Sequence, residues 1–220
     1  MVRGFYMLTS GMLTQNRILD TVSNNMANAE TNGYKAQHLS SRTFGEIMLD
    51  RIDSQRTPIG KTTLMATAAD KTDTDFSQGA FSSTGRSLDF AVSGDGFFAV
   101  QGNGGTYYTR NGSFNLDNNG YLVLNGVGRI LGKDGQPIRL GTDNVTCDRE
   151  GNLFVGNQLA GSIGIYQFPD NAALNTVDEG LFQGGNATLK QAPQIVWKSV
   201  ESSNADMGEE LTHGIASQRS

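Results

Sequence analysis

Eight positions near the start of the chain fall on one line. Phe5, Leu8, Met12, Gln15, Leu19, Val22, Met26 and Ala29 are separated by 3, 4, 3, 4, 3, 4 and 3 residues, the a/d spacing of a helix that buries a narrow stripe against another helix. The spacing predicts an N-terminal helical segment over residues 1–35, closed by Asn32-Gly33, because glycine enters the left-handed conformation without a Cβ clash. A weaker seam closes the chain. Val200, Asn204, Met207, Leu211, Gly214 and Gln218 follow at 4, 3, 4, 3 and 4, with Ile215 widening the stripe, and predict a second helix within residues 196–220. Ser202-Ser203 can cap its start, and Glu209-Glu210 suits the positive end of its dipole. Gly208 and Gly214 each cost that helix about 1 kcal/mol relative to alanine.

An amphipathic helix cannot bury its own stripe. The two ends therefore meet each other, as an intramolecular hairpin, or meet other chains, and spacing alone leaves both open. The run Ser23-Asn24-Asn25-Met26-Ala27-Asn28 places poor helix formers inside the first helix. Amides are tolerated there when neighbouring helices satisfy them. Phe5, Leu8, Met12, Leu19, Val22, Met26, Val200, Met207, Leu211 and Ile215 are thus expected to line subunit contacts, with Asn24, Asn25, Asn28 and Asn204 as their polar members.

Between the ends the code changes. Of 28 glycines, 21 lie from Gly79 to Gly185, and the apolar period becomes two: Leu88, Phe90 and Val92 alternate with Asp89, Ala91 and Ser93 before Gly94-Asp95-Gly96. Asn111-Gly112 and Asn119-Gly120 are hairpin signals, since both residues accept positive φ. Asp134-Gly135 and Glu150-Gly151-Asn152 punctuate two further strand pairs, 129–131 with 138–140 and 145–147 with 153–155, and Ile163 to Phe168 ends the series. Residues 76–195 are predicted to form an antiparallel β-sandwich or irregular barrel. Residues 36–75 carry a modest stripe, Phe44, Ile47, Met48 and Ile52, that could be a short helix, then become Thr-rich and read as a partly ordered linker. Residues 170–195 read as a second loose connection.

Composition excludes several functions. At 37% hydrophobic and 18% charged residues, with no run near the ~20 apolar residues of a bilayer span, direct membrane insertion is not expected. A net charge of −5 without a Lys/Arg cluster argues against nucleic acid. The start lacks the apolar core of a signal peptide. One cysteine, Cys147, removes any intrachain disulfide and is read as an inert thiol in a strand; His38 and His213 leave little for zinc and read as solvated surface residues. Asn115-x-Asp117-x-Asn119-Gly120 opens like a calcium loop, yet its twelfth position is Gly126 where a glutamate is needed. Gly94-x-Gly96 and Gly102-x-Gly104-Gly105 do not continue into phosphate-binding motifs. No catalytic, metal-ligating or cofactor-binding residue is assigned, and Tyr107, Tyr108 and Arg110 are read as packed sheet residues, with an interaction surface as the alternative.

The stretch Leu19-Asp20-Thr21-Val22-Ser23-Asn24-Asn25-Met26-Ala27-Asn28-Ala29-Glu30-Thr31-Asn32-Gly33-Tyr34-Lys35 resembles the N-terminal signature of bacterial flagellar rod and hook proteins. Further blocks agree in order: Gln78-Gly79; Thr84-Gly85 with Leu88-Asp89-Phe90-Ala91-Val92 and Gly94-Asp95-Gly96-Phe97-Phe98; Tyr108-Thr109-Arg110-Asn111-Gly112; and Glu201-Ser202-Ser203-Asn204-Ala205-Asp206 with Gln218-Arg219. The chain stops at Ser220, where family members usually continue the helix. The resemblance implies a structural subunit of the flagellar axis, rod more than hook, exported by the flagellar type III apparatus without a cleaved signal and assembling with itself and other axial proteins in the basal body. It also implies terminal helices paired in a coiled-coil-like inner layer and the β domain outside, with Leu88, Asp89, Gly94, Gly96, Phe97, Phe98, Tyr108 and Arg110 as family positions of the β domain. A hook subunit, or a non-flagellar fibre or adhesin, is the alternative.

Overall fold

The computed structural model of the chain describes residues 2–43, 46–52, 56–63, 67–169, 174–178 and 180–219. The fold is mainly β, with one helix at each end. Helix α1 spans Val2–Ala27 and helix α2 spans Met207–Arg219. Between them run β1 (Gln37–Thr43), β2 (Glu46–Ile52), β3 (Arg56–Thr63), β4 (Thr67–Thr74), β5 (Phe81–Ser83), β6 (Phe90–Ser93), β7 (Phe97–Gly102), β8 (Gly105–Thr109), β9 (Asn115–Leu116) and β10 (Leu122–Leu124). β11 (Gly128–Ile130), β12 (Val145–Cys147), β13 (Asn152–Val155), β14 (Gln158–Ser162), β15 (Ile165–Gln167), β16 (Asn175–Asp178), β17 (Leu181–Gln183), β18 (Thr188–Leu189), β19 (Gln194–Trp197) and β20 (Ser199–Glu201) follow. Every strand pair among the described residues is antiparallel.

The chain divides into two compact units, each built from separated segments. One comprises residues 1–26, 37–74 and 207–220; the other comprises residues 27–36 and 75–206.

In the first unit, β1 pairs β4 from Gln37↔Thr74 to Thr43↔Thr67, and β2 pairs β3 from Glu46↔Thr63 to Ile52↔Arg56. This corrects the linker reading of residues 36–75. Threonine and isoleucine favour extended backbone, but β1, β3 and β4 offer no sustained apolar alternation and the Ile47, Met48, Ile52 spacing of β2 also fits a helix. The short helix expected over 44–52 is a strand from Glu46 onward; Phe44 lies outside the described residues.

In the second unit, a nine-stranded sheet runs β16-β17-β8-β7-β11-β10-β9, and β15 pairs both β7 and β18. Strand alternation places Phe98 and Val100 of β7 in one apolar cluster, with Leu88, Phe90, Phe114, Leu122, Ile130, Leu153 and Ile163, and Phe97 and Ala99 in another, with Tyr108, Leu131 and Phe182. A strand buried on both faces reads as an unbroken apolar run, as Phe97-Phe98-Ala99-Val100 does. Asn119-Gly120 turns β9 into β10 as expected: Asp117 Oδ1 accepts the Asn119 and Tyr121 N–H groups, 2.8 Å each, and Gly120 takes φ +79°. Asn111-Gly112 is not a hairpin turn. A Cβ on Gly112 would stand 1.6 Å from the Phe90 carbonyl oxygen, so glycine is needed there for close approach of two backbones and not for positive φ. Residues 170–195 are not simply a loose connection either, since β17 pairs β8 and β19 pairs β6.

The C-terminal helix begins later than the seam implied. Residues 194–197 and 199–201 are strands, so Val200 lies in β20, buried against the β body, and not on a helix seam. Asn204 precedes α2, and Asp206, not Ser202-Ser203, stands at the N-cap position before Met207. At the other end, α1 stops at Ala27, ahead of Asn32-Gly33. Thr31 donates both its N–H and its hydroxyl back to Asn28, at 3.1 and 3.0 Å, winding residues 28–31 into a turn.

Candidate functional site

Two constructions carry the residues singled out from the sequence. The first is the pair of helices in the first unit. They touch where Gln15 Oε1 accepts from the Ser217 hydroxyl (2.7 Å), where Gly214 meets the Val22 side chain, and where Asn25 Nδ2 donates to Glu210 Oε1 (2.8 Å). Rising numbers on α1 meet falling numbers on α2, so the helices run antiparallel. The contact face of α2 is therefore Glu210, Gly214 and Ser217, which share one side at a spacing of four and three.

The seam of α1 thus turns towards α2 at Gln15 and Val22, while apolar residues of α2 and those of α1 ahead of Gln15 face out. Met207, Leu211 and Ile215 are 50%, 53% and 45% exposed, and on α1 Leu8, Met12 and Leu13 are 62%, 61% and 59% exposed. Further along α1, Leu19 and Met26 are half-buried and Val22 is buried. Phe5 belongs to α1, though its side chain is outside the described set. Exposed apolar side chains grouped on a helix mark a candidate interaction surface.

Within the single chain the asparagines take different places. Asn25 is buried: its amide accepts the Gln37 N–H (3.0 Å) and donates to the Gln37 carbonyl and to Glu210, both at 2.8 Å. It joins α1, β1 and α2 of its own chain. Asn28 is buried in the turn described above, and Asn24 is exposed. A short amide beside a helix end meets the nearest orphan backbone groups first, and those belong to the same chain.

The second construction is a buried ion cluster in the second unit. Lys35 Nζ donates to Glu201 Oε1 and to the Ser77 carbonyl, each at 2.6 Å; Arg110 Nη1 donates to Glu201 Oε2 at 3.1 Å; the Gly79 N–H donates to Glu201 Oε1 at 3.1 Å. The Lys35 and Glu201 side chains are 0% exposed and that of Arg110 is 3% exposed. Burial holds the Lys35 ammonium below the ordinary lysine value of 10.5; the bond and charge of Glu201 oppose that push without cancelling it, Arg110 adds to it, and Asp75 opposes it. Arg110 packs over the Phe97 ring at 5.1 Å and leaves its Nε without a hydrogen bond.

Backbone completes the cluster. The Gly33 N–H donates to the Glu201 carbonyl at 2.7 Å, and Gly33 sits at φ +70° with its Cα so near Arg110 that a Cβ would stand 2.3 Å from the Arg110 carbonyl carbon. Asn204 Oδ1 accepts the Ala36 N–H (2.7 Å), while Nδ2 donates to the Asp75 carbonyl (2.8 Å) and to Ser77 Oγ (3.0 Å). Gln78 holds the Gly94-Asp95-Gly96 turn by donating to the Val92 carbonyl and accepting the Gly94 N–H. Leu88, Phe97, Phe98 and Tyr108 are core residues, and Gly96 packs against Ile165. Buried Asp89 sits 3.1 Å from Arg86 Nη1, a contact ionic in distance but too oblique for a hydrogen bond.

The sequence blocks from 31–35, 78–79, 108–112 and 201–204 thus converge on one cluster. Sequence reading quoted Lys35, Gln78, Gly79 and Glu201 without assigning them a role. The available signal was a charged residue beside packing residues in three of these blocks: Lys35, Arg110 and Glu201.

Other candidates are chemically quiet. The Cys147 thiol is half-buried, and desolvation with the Asp148 charge pushes it up to about 12. His38 and His213 are exposed, the latter 3.7 Å from Glu209. Among the described residues no group of three or more His, Cys, Asp or Glu could hold a metal ion, and no helix is long and apolar enough to cross a membrane.

Residues 5–35 match the family described as flagella basal body rod protein, and residues 91–155 match that described as flagellar hook protein FlgE/F/G D1 domain. The flagellar basal-body rod protein FlgG of Bacillus subtilis (strain 168) is 30% identical over 240 aligned residues, covering 100% of this chain and 91% of the relative. The flagellar basal-body rod protein FlgF of Caulobacter vibrioides is 32% identical over 226 residues, covering 100% and 89%. The flagellar hook-basal body complex protein FlhO of Bacillus subtilis (strain 168) is 33% identical over 189 residues, covering 77% and 69%.

Proposed function

The chain belongs to the family of flagellar basal-body rod proteins, a structural and not an enzymatic family, and from that premise we propose that it polymerises into the rod, the axial shaft that carries torque through the basal body. The observation that carries this reading is the set of exposed apolar side chains on α2 and on the part of α1 ahead of Gln15. Within one chain the helices meet through Gln15, Asn25, Glu210, Gly214 and Ser217, and Leu8, Met12, Met207, Leu211 and Ile215 remain available. In the assembled rod these five, with Phe5, pack against the same stripe of neighbouring subunits as a coiled-coil-like inner layer, and the β domain forms the outer wall. Axial neighbours of related sequence are its partners. The chain reaches them through the flagellar type III export apparatus.

The reading is tested by deleting the gene from a motile strain, restoring it in trans, and analysing purified hook–basal bodies by mass spectrometry. Loss of swimming on deletion, with the restored chain recovered in the rod fraction, is the expected result. A deletion strain that swims normally, with no such chain in wild-type basal bodies, contradicts it. If export uses the flagellar route, the chain fails to leave the cytoplasm of a strain lacking the export ATPase and gate.

A further inference from the structure

We propose that Glu201 makes residues 27–36 and residues 199–206 dock on the β body, or leave it, as one cooperative unit. These segments lead out of α1 and into α2. The inference goes beyond the role of a rod subunit and stands on the geometry of the ion cluster alone.

Residues 27–36 contain no strand, so no ladder of backbone bonds holds them. They are fastened through the Gly33 N–H on the Glu201 carbonyl, Lys35 on Glu201 Oε1 and Ser77, the Ala36 N–H on Asn204, and the Asp75 N–H on the Ala36 carbonyl at 2.8 Å. The other segment has only a short ladder: β20 pairs over three residues with β5, all of whose residues are exposed, although β20 itself is buried against the β body. Each short segment is therefore one support of the other.

The charges make the dependence steep. Lys35 and Arg110 are two cations against a single carboxylate, all three buried. If residues 199–206 lift away, two like charges remain in a dry interior with Arg110 Nε already unbonded, a state of high energy that expels Lys35 and its segment. If residues 27–36 lift away, Glu201 loses the carbonyl bond to Gly33 and one of its two cations, and water enters beside β20. By linkage, whatever stabilises one docked segment stabilises the other equally. A chain so built does not dock one of these two segments while the other is loose.

Hydrogen exchange of the folded full-length chain, followed at low denaturant concentrations, tests the coupling directly. The amides of Gly33, Ala36, Gly79 and Ser202 all donate into or beside the cluster. They are expected to exchange through one opening, with the same denaturant dependence, at lower free energy than the amides of Phe97–Gly102. Two separate openings, one for Gly33 and Ala36 and another for Ser202, overturn the proposal. In Glu201→Gln all four amides should exchange at least about tenfold faster while those of β7 do not change. Should that variant not fold, Lys35→Ala serves: acceleration of Ser202, which makes no bond to Lys35, supports the coupling, and an unchanged Ser202 overturns it.

Discussion

At the scale of single residues, the fold depends on backbones that approach more closely than any side chain permits. Gly112→Ala would drive a Cβ to within 1.6 Å of the Phe90 carbonyl oxygen, and is expected to cost more than about 3 kcal/mol or prevent folding. Gly135→Ala provides the contrast. Gly135 holds φ +72° in a turn with nothing within 4 Å, so only the left-handed backbone is strained, at about 1–2 kcal/mol. Urea midpoints of the two variants check the order. Lys35 supplies a pH prediction. Because its proton is held less tightly in the folded chain than in the unfolded one, the charged form costs stability at neutral pH, and that cost fades as pH rises towards 10.5. Stability of the native chain relative to Lys35→Met should accordingly increase through that alkaline window. A difference that is flat with pH, measured by urea titration, contradicts the assignment. Neither effect was legible beforehand: Asn111-Gly112 has the letters of a hairpin, and nothing in a local window reveals that Lys35 and Glu201, 166 residues apart, share one buried bond.

At the scale of elements, legibility followed periodicity. The seam from Phe5 to Ala29 and the strands around Gly94 and Asn119 declared themselves because their apolar residues repeat with the period of the structure they form. Strands β1, β3 and β4 did not, since they are rich in polar residues, and the Ile47, Met48, Ile52 spacing of β2 suits a helix as well as a strand. Val200 was misplaced for the opposite reason: a spacing of four and three continued by accident from β20 into α2, across a segment that is not helical. In the helix pair, Asn25→Ala removes bonds to Gln37 and Glu210 from a buried site and should cost about 1–3 kcal/mol. Gly214→Ala should do the reverse. A Cβ there lies at ordinary contact distance, 3.4 Å, from Val22, and alanine gains up to about 1 kcal/mol of helix propensity. Thermal melts of both variants, followed by helical circular dichroism, check the signs.

At the scale of the whole molecule, each compact unit is assembled from distant stretches of sequence, and each is fastened internally by an asparagine: Asn25 in one, Asn204 in the other. Asn25, Asn28 and Asn204 bond within the chain, and the exposed Leu8, Met12, Met207, Leu211 and Ile215 are the surface we propose for neighbours. The most direct measurement replaces Leu8 and Leu211 together by lysine, a good helix former, at positions 62% and 53% exposed. The purified double variant should melt within about 2 °C of the native chain, as expected for surface changes, yet be missing from basal bodies and fail to restore swimming to the deletion strain. A double variant that enters the rod and restores normal swimming would show that this face is not where subunits meet.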